Sequence, residues 1–461
     1  MKNQKRIIIL GAGTAGTIMA NKLAKKFDIT IIDAHPDHYY QPGFLFLPFK
    51  MAKISQIVKP KKKFITKRAN FFQAKVAKIN PEINNVNLVD GTNIGYDLLI
   101  IATGSRIVPD EIEGLKGPLW QQDIFDFYSL DGALKLQEKL AKWQGGKLVV
   151  NIAEMPIKCP VAPLEFSFLA DSYFKKRKMR EKVEITYVTP LTGAFTKPKA
   201  SQKLGHLLYE RNIRVESEFS IMEVNNEDKK IVSYEGREVP FDLLVTIPTN
   251  KGSQIIIDSG LGDELGFIDT DHNTLQSKAF SNIFVAGDAT NVPASKAGST
   301  AHFETEVLYY NIQRYFSAQE LAKDFDGHAN CFVETGGGKA LLIDFNYDVE
   351  PLEGKFPFPV IGPMSLLKES RLNHIGKLAF RYIYWYMLLK ARPIPFIPNK
   401  LKLSGKKLDK TSDDSAPTSQ QVGPIITADQ SFNDGLAKAT DQEKQIAEEI
   451  KSNASITQNK E

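Results

Sequence analysis

The chain has 461 residues, a formal net charge of +5, 42% apolar and 25% charged residues, and two cysteines. That length carries two or three domains with full cores, and the composition excludes collagen-like, coiled-coil and disulfide-scaffold architectures. The cysteines, Cys159 and Cys331, lack CxxC or Cys/His ligand spacing and the seven histidines do not cluster, so no metal is expected.

Residues 7–10, Ile-Ile-Ile-Leu, predict a buried parallel strand. It begins too close to Met1 for a signal peptide's apolar core, and no run of about eighteen apolar residues follows anywhere; synthesis in the cytoplasm without a membrane span is expected. Gly11, Gly13 and Gly16 then stand in GxGxxG spacing. They supply a tight turn, close backbone approach to a pyrophosphate, and close packing of the next helix on the sheet. That helix is predicted over residues 14–27, with its N-terminal N–H groups favouring a diphosphate. A second strand, 29–32, ends in Asp33, where an acid accepts hydrogen bonds from a ribose hydroxyl. Strand, glycines, helix, strand and acid together predict a nucleotide site.

The loop HPDHYYQPGFLFLPF (35–49) is crowded with aromatics and proline, as expected of a cavity wall or of hydrophobic cover. The basic run IVKPKKKFITKR (57–68) is taken as a solvated face. Further on, LLIIATGS (98–105) resembles the ATG turn of two-dinucleotide-domain flavoprotein reductases, and NIFVAGDA (282–289) resembles their GD motif. The resemblance implies FAD as cofactor, with Thr103 and Gly104 at the first turn and Gly287 and Asp288 at the second, the Asp holding the ribitol chain. The helix entered near residues 296–298 would aim its N-terminus at the flavin and stabilise negative charge there, with Lys296 adding to that field.

Such reductases carry a second dinucleotide domain between the two turns, and here its first strand is expected at 147–152, after a helix over 134–143. The glycine loop that should follow is absent: the chain reads NIAEMPIKCPVAPLEF (151–166), with no glycine between Lys147 and Gly193. A pyrophosphate could not approach that backbone in the usual way, so nicotinamide binding is not expected. The KCPVAPLE stretch resembles sulfide:quinone oxidoreductases, as does GHANCFVETGGGKALLIDFNYDVEPLEG (327–354), which carries Cys331; the likeness spans roughly residues 6–396. It implies that Cys331, in a Gly-rich turn, lies beside the flavin and reacts as a thiolate. Cys159 would carry the growing sulfur chain, and Glu165 would handle protons. A third cysteine that many members carry is missing from DIFDFYSLDGA (123–133), which argues for non-covalent FAD.

Residues 364–402 hold eight Lys or Arg against one Glu, whereas 403–461 hold seven Lys against ten Asp or Glu. The aromatic, basic stretch 366–390 is too short in uncharged run to cross a bilayer but suited to lie in its interface, with Arg371, Lys377, Arg381, Lys390, Arg392, Lys400 and Lys402 reaching headgroups. From Leu403 the chain is too polar to offset ordering entropy and is expected to be disordered, with a short helix over 441–451.

The expected architecture is α/β with two Rossmann-like dinucleotide-binding domains, the second inserted in the first: 1–115 with 275–350 for FAD, 116–274 for the inserted domain, 351–402 for a quinone and membrane-interface segment, and 403–461 for the tail. The expected protein oxidises sulfide to zero-valent sulfur or polysulfide through Cys159, Cys331 and FAD, and reduces a membrane quinone. It would sit peripherally on the cytoplasmic face of a membrane, possible as a homo-oligomer, with no nucleic-acid partner. The alternatives are a type II NADH:quinone reductase, which needs the missing glycine loop, and a non-catalytic flavin- or persulfide-binding sensor.

Overall fold

A computed structural model describes residues 4–394, 397 and 399–408, and contacts up to Lys407 cluster into one compact unit. The first sheet has five parallel strands in the order Ile283–Val285, Leu98–Ile101, Arg6–Leu10, Asp28–Asp33, Asn70–Gln73. Arg6–Leu10 lies in the middle, and successive side chains of a strand point to opposite faces. Ile7 and Ile9 therefore join helices Thr14–Leu23 and Gly298–Phe316 in one core cluster, while Ile8 and Leu10 join another on the far side. The neighbours Leu98–Ile101 and Ile283–Val285 come from either side of a long intervening segment, and that segment builds a sheet of its own.

This second sheet, also all parallel, runs Ile124–Phe125, Leu243–Ile247, Gly146–Ile152, Val183–Val188, Ile213–Glu216. Its central strand buries Leu148 and Val150 against helix Ala162–Lys176 and Val149 against Phe219 and Ile231. A four-stranded sheet then follows, Ala329–Gly336, Lys339–Phe345, Met364–Leu366 and Gly354–Phe356, covered by helix Arg371–Ile383. Ser370 caps that helix, accepting from Asn373 N at 3.0 Å, and the buried Asn373 amide ties it to Ala340 O and Ser365 O. No described helix is long and apolar enough to cross a membrane.

Several expected boundaries move. The fingerprint helix ends at Leu23 rather than 27, because Lys26 and Phe27 turn back onto Leu23 O so that Asp28 can enter the sheet. The helix expected over 134–143 starts at Leu130, since Ser129 Oγ caps it by accepting from Gly132 N. Past Leu403 the chain is still ordered against the fold: Lys406 pairs with Gly354 and its ammonium lies 2.6 Å from the buried Asp344. Polar composition there underestimated one buried ion pair. The tail beyond Leu408, with its expected helix over 441–451, falls outside the described residues.

Candidate functional site

A cavity of about 570 Å³ opens at the carboxyl ends of the first sheet's strands, where ligands bind in open α/β sheets. Gly11, at φ +93°, could not take a side chain, because a Cβ would meet Ala102 O at 2.4 Å, and a Cβ on Gly16 would meet Gly11 O at 1.9 Å. Gly13 and Gly104 instead have nothing within 4 Å of that position, so bare backbone faces the cavity. Thr103 Oγ1, on the cavity wall, is buried without a hydrogen-bond partner. Gly287 at φ +72° and Asp288 close the opposite side. Backbone openings, an orphaned hydroxyl and the N-terminus of helix Gly298–Phe316 together fit a dinucleotide such as FAD.

Asp33 reaches this rim, but its oxygens already have partners: Oδ2 accepts from Ala12 N at 2.7 Å, and Oδ1 lies 2.6 Å from the Lys61 ammonium. Lys61 is buried and also donates to His35 O. One lysine of the basic run is therefore no part of a solvated face; it neutralises the acid at the end of the second strand. Lys296 likewise has fixed work, since its ammonium donates to Asp288 O and Thr290 O at 3.1 and 2.7 Å and lies over the Phe267 ring. It braces the Asp288 loop while lining the cavity.

The same cavity extends to Cys159, Glu165 and Lys377. Cys159 sits in the left-handed region at φ +49°, which costs a non-glycine residue about 1–2 kcal/mol. Three hydrogen bonds hold it there: Cys159 N donates to Lys296 O at 2.7 Å, and Cys159 O accepts from Ala162 N and from the Tyr128 hydroxyl. Cys331 is not in a turn, as its Gly-rich surroundings suggested. It lies within strand Ala329–Gly336, and Gly336 to Gly338 form the hairpin beyond it. Both cysteines are free, and Cys159 is close enough to feel the charge of Cys331. Burial pushes the Cys159 thiol well above its ordinary value, aided by Glu165 and Cys331. Burial also raises Cys331 to about 11, although Lys377 and a hydrogen bond from Ser299 pull the other way. Neither is a resting thiolate.

Glu165, in the first turn of helix Ala162–Lys176, is buried, and burial raises its carboxyl to about 7 despite its ion pair with Lys377. Its Oε1 also accepts from Glu334 N at 2.7 Å. Lys377 stays firmly charged: burial lowers its pKa, but Glu165 and Glu334 more than reverse that. It donates to Phe332 O as well, beside Cys331. Lys377 was expected to reach headgroups; it points inward because His374, Lys377, Arg381 and Tyr384 share one helical stripe at three- and four-residue spacing. Arg381 is held by Gln56 Oε1 at 2.9 Å. That spacing was readable in the sequence, whereas the roles of Lys61, Tyr128 and Ser299 had no local signal.

Sheet topology and glycine cradle define an FAD-dependent oxidoreductase of the two-dinucleotide-fold kind. The chain belongs to the pyridine nucleotide-disulphide oxidoreductase family, which matches residues 5–304. Among its relatives, the mitochondrial sulfide:quinone oxidoreductase of Mus musculus is 27% identical over 85% of this chain and 87% of that protein. The mitochondrial sulfide:quinone oxidoreductase of Dictyostelium discoideum is 28% identical, with the same coverage. In fold, the crystal structure of sulfide:quinone oxidoreductase from Aquifex aeolicus superposes with a TM-score of 0.69 at 22% identity, covering 84% of this chain and 92% of that one.

Proposed function

We propose that the protein oxidises sulfide to zero-valent sulfur and passes the electron pair through non-covalent FAD to a membrane quinone. The observation that carries this reading is Cys159, set by three hydrogen bonds in a glycine-type backbone conformation at the end of strand Gly146–Ile152. There a nicotinamide-binding domain would need a glycine loop.

In this reading Cys159 and Cys331 are bridged by sulfur in the oxidised enzyme. Hydrosulfide attacks the sulfur bonded to Cys331 Sγ and breaks that bond, leaving Cys159 with a sulfane chain one sulfur longer and Cys331 as a thiolate, and its proton passes to Glu165. Bound FAD supplies the two-electron acceptor between thiolate and quinone. Lys377, charged and hydrogen-bonded beside Cys331, favours the thiolate at the moment it forms, against the burial that disfavours it at rest. The balance is hydrosulfide plus quinone plus one proton giving zero-valent sulfur plus quinol.

Quinone is reached through the membrane face of the C-terminal helix, which exposes Leu372, Ile375, Tyr382 and Tyr386 beside Lys390 and Arg392, the composition of an interfacial helix. The deciding experiment is an anaerobic titration of the flavin. Sulfide is expected to bleach it within a turnover time, and NADH is not; rapid bleaching by micromolar NADH would replace this reading with an NADH:quinone reductase.

A further inference from the structure

The basic run read as an idle solvated face lies against the C-terminal helix. Residues 50–68 contain eight Lys or Arg and no Asp or Glu, and residues 371–402 contain none of the acids either. Lys61 is committed to Asp33, which leaves seven cations. The two segments, three hundred positions apart, are bolted together. Trp385 Nε1 donates to Gln56 O at 3.0 Å, Arg381 to Gln56 Oε1, and the Phe64 and Trp385 rings lie 4.8 Å apart. The Lys59 ammonium sits over the Trp385 and Tyr386 rings at 4.8 and 5.2 Å. Each segment also exposes apolar side chains, Met51 and Ile54 on the first and Leu372 and Ile375 on the second. Lys62, Lys63, Lys67 and Arg68 are exposed on the first of the two segments.

We propose that residues 50–68 are the cationic half of a composite lipid-docking surface that takes anionic phospholipid headgroups, with the C-terminal helix as its apolar half. This rests on the membrane reading above and adds the lipid class. Apolar side chains interleaved with unopposed cations match an interface of acyl chain and phosphate. A nucleic acid would leave Met51, Ile54, Leu372 and Ile375 in water.

The test is flotation of the full-length, FAD-loaded protein with phosphatidylcholine vesicles with and without phosphatidylglycerol, at low and high salt. The parental protein is expected to bind the anionic vesicles roughly tenfold or more tightly than the neutral ones, a preference that high salt removes. The variant K62E/K63E/K67E/R68E is expected to lose that preference while keeping its flavin, its binding to neutral vesicles and its sulfide-dependent reduction of a short-chain soluble quinone. If charge reversal lowers flavin content, K62Q/K63Q/K67Q/R68Q is used and should show a smaller loss in the same direction. Retention of the anionic preference by a flavin-loaded variant, or its absence in the parent, overturns the proposal. So would salt-sensitive binding of duplex DNA as tight as that of anionic vesicles. The variant L372E/I375E separates the two readings: undiminished binding to neutral vesicles would overturn the helix as anchor, whatever the lysines do.

Discussion

The Tyr384 hydroxyl lies 2.7 Å from Thr14 Oγ1, so the turn after the C-terminal helix touches the first turn of the glycine-loop helix. Its other neighbour is His38 Nε2 at 2.6 Å. Burial, with Lys61, holds His38 down to about 4, so its ring is neutral. His38 Nδ1 faces Ala12 O, which can only accept; Nε2 must therefore accept from Tyr384, and Thr14 donates to the Tyr384 oxygen. Tyr384→Phe leaves that buried ring nitrogen without a donor and should cost about 1–3 kcal/mol. We expect flavin release at lower temperature, followed by flavin fluorescence, and no such change for the exposed Tyr386→Phe.

Cys159→Ser and Cys331→Ser should each keep the fold and FAD but slow sulfide-dependent flavin reduction by orders of magnitude. A hydroxyl neither holds a sulfane chain nor leaves as a thiolate. Mass spectrometry of untreated protein should find sulfur bridging the two positions, released by reductant. Near-parental quinone reduction by both variants would refute the mechanism while leaving the fold untouched.

Glu165 sets a pH dependence of known sign. Its folded pKa, about 7, exceeds its ordinary 4.5, so between those values the folded state binds a proton the unfolded chain has lost. This contribution to stability is fully present below about 4.5 and fades as pH climbs to about 7. Only above about 7 is the carboxylate free to take a proton, so flavin reduction at fixed hydrosulfide concentration should rise through that pH in stopped-flow measurements. Glu165→Gln should abolish the rise. It also removes one charged partner of the buried Lys377 ammonium, at a cost of about 3 kcal/mol, visible as a lower denaturation midpoint.

Asp344 is buried between His328 at 2.7 Å and Lys406 at 2.6 Å, and although burial opposes ionisation, these partners hold its carboxyl below the usual range. A chain ending at Lys402, or Lys406→Ala, should lose about 3 kcal/mol by removing one partner of a buried pair. A chain ending at Leu408 should match the parent in thermal midpoint and flavin content. Equal midpoints for both truncations would show that the pair contributes nothing.

Much of the fold was legible because its signals are local. Ile7 to Leu10, the spacing of Gly11, Gly13 and Gly16, and the glycine-free stretch around Cys159 are all patterns within a few residues of one another. What could not be read were partnerships across long separations. Lys61 looks like its neighbours until Asp33 is beside it, and Lys377 looks like a headgroup lysine until Glu165 faces it. Cys331 was misplaced in a turn because the three glycines five to seven positions on belong to the hairpin that ends its strand.

Strand Gly146–Ile152 and helix Ala162–Lys176 follow the strand-then-helix order of a dinucleotide domain, and residues 153–161 join them without a glycine. Within them Cys159 keeps a backbone angle of the kind glycine adopts freely and changes what stands on it. In the proposed reading Cys159 stands on this nine-residue stretch where a nicotinamide-binding domain has its glycine loop, and Glu165 and Cys331 on the elements around it complete the site. An engineer wishing to exchange one fuel for another would have to carry Glu165, Cys331 and Lys377 along with that stretch, leaving the first sheet and the cofactor cradle alone.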